Sequence, residues 1–218
     1  MNRHFHKALE KIKTMVLALG ATVEERVHMA LQATETYDAE IAKKIIESDH
    51  EIDAMEVELE EECLKALALH QPVAVDLRFL IAVIKINNGL ERIGDEAVNI
   101  AQRIQIISKT GAHPFRFDYT DMMRKAIHML KISLDALVNM DSDAAYRVLT
   151  LDDEVDALKA TAYDRIKEAM GQYKERFGYF INLLLISRHV ERLGDHATNI
   201  AEEVIYMVEG EIVRHSGL

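Results

Sequence analysis

The sequence predicts an all-α fold of two tandem three-helix bundles, on three observations. Apolar residues recur at spacings of three and four along nearly the whole chain, with only two prolines, Pro72 and Pro114, to interrupt them. A block of eleven residues, Glu91 to Ala101, returns as Glu191 to Ala201 with eight identities. The strongest linker signal, Thr110-Gly111-Ala112-His113-Pro114, falls between the copies, near the middle of the chain.

The helices follow in order. The first is expected over about 5–37, on Phe5, Leu9, Ile12, Val16, Leu19, Val23, Val27 and Ala30. Asp38 reads as an N-cap for a second over 39–70, which Gln71-Pro72 ends. The third covers 75–108. In the second half a helix carries Met123, Ile127, Leu130, Leu134 and Leu137, and Asp141-Ser142-Asp143 caps a fifth running to Gly171. The sixth spans 178–210. The division is therefore residues 1–110 and 115–218, each half large enough for a modest core.

Composition narrows the function. At 218 residues, 49% hydrophobic and 29% charged, the chain reads as globular. The longest apolar run, Phe79 to Ile84, is too short to span a bilayer, and Met1-Asn2-Arg3-His4 leads into a charged pattern without a signal peptide. A single cysteine, Cys63, rules out an intrachain disulfide and a thiolate metal site. The expected compartment is the cytoplasm. A net charge of −11 without a basic stripe argues against nucleic acid, and is compatible with hard-cation binding or with nothing more than solubility.

The repeated letters are mostly not core letters. Glu91 and Asp95 lie one helical turn apart, as do Asp49 and Asp53. Residues 49 and 95 share the midpoint 72, as do 53 and 91, and residue 72 is the proline of the turn. Antiparallel helices pivoting there bring both pairs to one height, roughly 28–35 Å from the turn at 1.5 Å per residue. In the second half, 152 with 195 and 156 with 191 share the midpoint 173.5, inside the Gly171–Gly178 break.

These carboxylates interrupt apolar, inward-tending stripes: Glu91 aligns with Leu80, Ile84 and Val98, and Asp49 with Ile45, Cys63 and Leu67. Grouped acids at such positions repel and lose solvation, which a cation resolves. All-oxygen ligation favours hard ions such as Mg, Mn or Fe, with Zn also accepted. Asn99 and Asn199, one turn beyond Asp95 and Asp195, read either as outer ligands or as structural amides. The recurring Gly94 and Gly194 weaken a helix by about 1 kcal/mol each and suggest close approach of a ligand or a neighbouring helix. Arg92 and Arg192 are candidates for structural ion pairs with nearby acids.

With these motifs, and with Gln71-Pro72-Val73-Ala74-Val75-Asp76-Leu77-Arg78 ahead of the first, the chain resembles the PhoU family of phosphate-transport regulators over nearly its full length. The resemblance implies multinuclear metal sites, often of iron, on the bundle surface. Carried over by motif, one site is Asp49, Asp53, Glu91 and Asp95, and the other Asp152, Asp156, Glu191 and Asp195. It implies no catalysis. It implies negative regulation of phosphate uptake and of the phosphate regulon, through the ATPase of the phosphate-specific ABC transporter and a phosphate-sensing histidine kinase. A homodimer is expected, with membrane contact only through partners.

One departure stands out: where the first half has Glu56 and Glu60, the second has Lys159 and Tyr163, which weakens the second site for cations. Two other readings compete. Glu25-x-x-His28 and Glu47-x-x-His50 have the spacing of a di-iron carboxylate enzyme, though neither recurs in the second half. A metal-free helical adaptor is the other.

Overall fold

The computed structural model describes residues 3–111 and 115–213 of the chain, and among these there is no β-strand. Ala112-His113-Pro114 of the expected linker, and Met1-Asn2, lie outside the described residues. The helices are α1 (Arg3–Thr36), α2 (Ala39–Glu47), α3 (Asp49–His70), α4 (Ala74–Ser108), α5 (Thr120–Asn139), α6 (Ser142–Gln172) and α7 (Phe177–Glu209). A 3-10 turn, Lys174–Arg176, precedes α7.

The expected caps form. Asp38 accepts from the backbone N–H groups of Glu40 and Ile41 at 2.7 and 3.1 Å, and Asp141 from Ala144 at 2.9 Å. Gln71 takes the left-handed conformation (φ 45°), donates its N–H to Leu67 and hands over to Pro72. The expected second helix is interrupted at Ser48, which separates α2 from α3. The Ser48 hydroxyl donates back to the Lys44 carbonyl at 2.6 Å, and its ψ of 9° leaves the helical well. Asp49 consequently heads α3, where Asp49 and Glu51 meet the positive end of the helix dipole.

In the first half α4 packs on α1, α2 and α3; in the second α7 packs on α5 and α6. The largest interhelical contact, α4 with α7, joins the halves. It is antiparallel: Lys85 meets Glu203, a Cβ on Gly89 would lie 3.1 Å from Ile200 Cγ1, and Glu96 meets His189 and Arg192. The repeats are thus related by an approximate two-fold across this pair. Their buried residues form one continuous core. The segment after the linker is pinned by tyrosines: Tyr119 Oη donates to the Leu183 carbonyl and Tyr179 Oη to that of Phe115, both at 2.6 Å.

A buried carboxylate fixes the α4–α7 register. Glu96 is 2% exposed. It accepts from His189 Nδ1 at 2.7 Å, Arg192 Nε at 3.1 Å and Asn99 Nδ2 at 3.5 Å. Burial pushes its carboxyl up, yet His189 and Arg192 together hold it below the ordinary range. Cutting Glu96 back to alanine leaves His189 and Arg192 without their acceptor at the joint. Breaking a buried pair costs roughly 3–5 kcal/mol, and the half-exposed Arg192 places this one at the low end. Urea unfolding of Glu96→Ala against wild type measures it, and Glu96→Gln, which keeps an acceptor, is expected to lose less.

Candidate metal centre

Both acid quartets gather as the pivot arithmetic requires. In the first, Asp49 and Asp53 on α3 face Glu91 and Asp95 on α4: Asp49 feels the charges of Asp53 and Asp95, and Glu91 those of Asp95, Glu56 and Asp53. In the second, Asp195 on α7 feels Glu191, Asp152 and Asp156. Asp53, Asp95 and Asp156 are exposed, and the other five acids are half-buried. The quartets therefore lie at the rim of the apolar stripes.

Gly94 explains how α3 and α4 come so close. A Cβ on Gly94 would stand 2.9 Å from Ile52 Cδ1, and one on Gly194 would meet Val155 Cγ1 at 3.6 Å and Asp152 Oδ1 at 3.5 Å. Ile52 and Val155 are repeat mates, but only at Gly94 would a Cβ crowd the neighbouring helix; at Gly194 it would make ordinary van der Waals contacts. Gly94→Leu is expected to overpack this seam and destabilise by about 1–3 kcal/mol, read in the midpoint of denaturant unfolding.

Burial and like charge raise the proton affinity of Asp49, Glu91, Asp95, Asp152 and Asp195. Burial, then Asp53 and Asp95, lifts the Asp49 carboxyl above the usual range. Burial followed by neighbouring carboxylates does the same to Glu91, Asp95, Glu56 and Asp152. Asp195 is pushed furthest, from 3.8 to about 6, against the opposing pull of Lys159. Among the described residues, no group of three Asp, Glu, His or Cys side chains stands arranged to hold a metal ion. Ligation of one ion by a quartet requires these side chains to rotate toward each other, against the repulsion that a cation would remove.

The second quartet has a cation of its own: Lys159 Nζ pairs with Glu191 Oε1. Lys159 is the mate of Glu56, so an ammonium stands where the first half has a further acid. Arg188 and Tyr163 line the same shallow groove.

Other expected ligands fall elsewhere. The Asn99 amide nitrogen serves Glu96 at the α4–α7 joint, and Asn199 is exposed beside α4. Glu25, His28, Glu47 and His50 are all exposed on α1, α2 and α3, outside any bundle core. Arg192 pairs with Glu96 rather than with a motif acid. Arg26 is a residue that sequence reasoning missed. It is buried, donates to the Ile45 carbonyl at 3.2 Å and to Glu51 at 3.1 Å, and lowers Asp49 by its charge. Its signal was a charge inside the Val23–Val27–Ala30 stripe.

Comparison with known proteins identifies the family. The PhoU domain pattern matches residues 16–104 and again 119–204. The chain belongs to the PhoU family. A PhoU-family protein of Pseudomonas aeruginosa, named a phosphate-specific transport system accessory protein PhoU homolog, is 36% identical over all of this chain and 90% of its own length. The Escherichia coli (strain K12) accessory protein PhoU is 33% identical over all of this chain and 92% of its own. The crystal structure of PhoU from P. aeruginosa superposes with a TM-score of 0.91 at 36% identity, covering 95% of this chain and all of that one. That of the PhoU phosphate transport system regulatory protein from Streptococcus pneumoniae gives 0.86 at 30% identity, covering 96% and 99%. Six helical segments in two PhoU repeats are thus the family fold; the break at Ser48 in the second segment is described for this chain. Among the described residues, no helix is long and apolar enough to cross a membrane.

The pH dependence follows from Asp195. Its folded pKa of about 6 lies above the ordinary 3.8, so between these values the folded state binds more protons than the unfolded one. Stability of the metal-free protein is therefore expected to fall as pH rises through that window. Asp195→Asn is expected to flatten this slope in thermal melts across the window.

Proposed function

We propose that this chain is a metal-binding accessory protein of phosphate-specific transport, restraining phosphate uptake and the phosphate regulon without catalysis of its own. Family membership along nearly the whole chain supports the accessory role. The observation that carries the metal reading is the first acid quartet, whose half-buried members Asp49 and Glu91 are each lifted by burial and by like charge from the facing helix. Such a group is relieved by a hard cation, and oxygen donors suit Fe, Mn, Mg or Zn. Asp49, Asp53, Glu91 and Asp95 would hold the ions of the first site; Asp152, Asp156, Glu191 and Asp195 those of the second, in competition with Lys159.

The partners in this reading are the transporter ATPase and a phosphate-sensing histidine kinase, met by a cytoplasmic and homodimeric protein. The two halves would act as units 1–110 and 115–218. Pull-down of the ATPase by the purified chain, with and without phosphate, tests the partner; no capture under either condition refutes it.

Metal analysis after purification without chelator tests the sites. Asp95→Ala is expected to weaken first-site binding by at least about tenfold, roughly 1.4 kcal/mol, with helicity by circular dichroism unchanged. Lys159→Glu is expected to raise the metal content of the second site, since it replaces a tethered ammonium with a carboxylate. Unchanged metal content in both variants refutes the site assignment. Proton competition gives the pH sign: affinity at the second site is expected to fall as pH drops through about 6, where Asp195 becomes protonated.

A further inference from the structure

From Leu77 onward, the approximate two-fold maps each residue of α4 onto the residue one hundred positions later in α7. Applied to the buried carboxylate at the joint, it carries Glu96 to His196, His189 to Gly89, Arg192 to Arg92 and Asn99 to Asn199. All four mates line one groove of about 570 Å³ between α3, α4 and α7. On one side of the axis a carboxylate sits in a receptor of three donors. On the other side the receptor has kept its arginine and its amide and has lost the acceptor.

The two changed residues act in the same direction. His196 replaces the glutamate and is 7% exposed, with Nε2 buried and without a hydrogen-bond partner. Gly89 replaces the covering imidazole, so the groove stays open where His189 closes the other receptor. Acids line the groove from two helices, Glu56 and Glu60 of α3 on the facing wall and Glu202 of α7. Lys85, at the groove's edge, is committed to Glu203 at 3.2 Å and stands 5.3 Å from the Tyr206 ring centroid.

A simple anion entering here meets the α3 carboxylates, and a simple cation meets Arg92. A molecule carrying both charges satisfies both walls. We propose that this groove binds a small zwitterion of the amino-acid type, its carboxylate accepting from Arg92, Asn199 and His196 and its ammonium facing Glu56 and Glu60. The groove adjoins the first acid quartet, whose Glu91 feels both Glu56 and Arg92, but its proposed contacts need no metal.

The test is an amide ¹H–¹⁵N titration of chelator-treated full-length protein with the standard α-amino acids, and with propionate and ethylammonium as single-charge probes. Chelation separates the outcome from that of the metal reading. At least one amino acid is expected to shift the Gly89, Arg92 and Asn199 amides saturably, with Kd of about 1 mM or tighter. Propionate and ethylammonium are expected to bind at least about tenfold more weakly. His196→Glu, which restores an internal acceptor, is expected to abolish the response, and so is Arg92→Ala. His196→Gln keeps a donor, retains binding and controls for folding. The proposal is overturned if no amino acid gives a saturable shift, if propionate binds as tightly, or if His196→Glu binds unchanged.

Discussion

The antiparallel seating of α4 on α7, locked by Glu96, is the constraint on which the rest depends. A carboxylate buried at a helix–helix joint is tolerated only where donors from the facing helix reach it, and His189 and Arg192 do so in one register. Sliding α4 along α7 by a turn would leave a buried charge alone. The same register sets Gly89 against Ile200 and Lys85 against Glu203, so apolar and charged contacts agree along the seam. Because each quartet hangs on one of these two helices, the register also sets the spacing between the quartets.

Much of this was legible in the sequence where the signal is local. Asp38 and Asp141 cap as their types and places dictate, and the Gln71-Pro72 turn makes the 49/95 and 53/91 pairing a matter of counting. The break at Ser48 escaped because the sequence there lacks glycine and proline; a hydroxyl bonding back to Lys44 leaves no periodic trace. The Glu96–His189 contact escaped for a different reason. Helical periodicity tells which face is buried within a half, whereas the meeting of two halves joins faces whose complementarity no spacing encodes. The glycines fall between these cases: recurrence marked a close approach, and it is met at Gly94, against Ile52, but not at Gly194, where a Cβ would fit.

The acid quartets run against the folding logic of their surroundings. Apolar stripes on α3, α4, α6 and α7 draw these faces inward, while carboxylates placed on them resist desolvation and one another. The result is a rim position, with five of the acids half-buried and three exposed, where protonation and cation binding are two ways to relieve one strain. Local conflict of this kind, retained in both copies of a repeat, is where function is usually found.

The Lys159–Glu191 pair has a consequence for recognition. A body with two interchangeable halves presents a partner with two equivalent poses, related by half a turn, and a message passed through it loses its direction. Here one half carries an ammonium where the other carries an acid, and one half keeps its joint carboxylate where the other has a histidine. These exchanges leave the backbone two-fold in place but remove the degeneracy of the charge pattern. The molecule acquires a front and a back, so that a partner engaging it across the seam would hold it one way round.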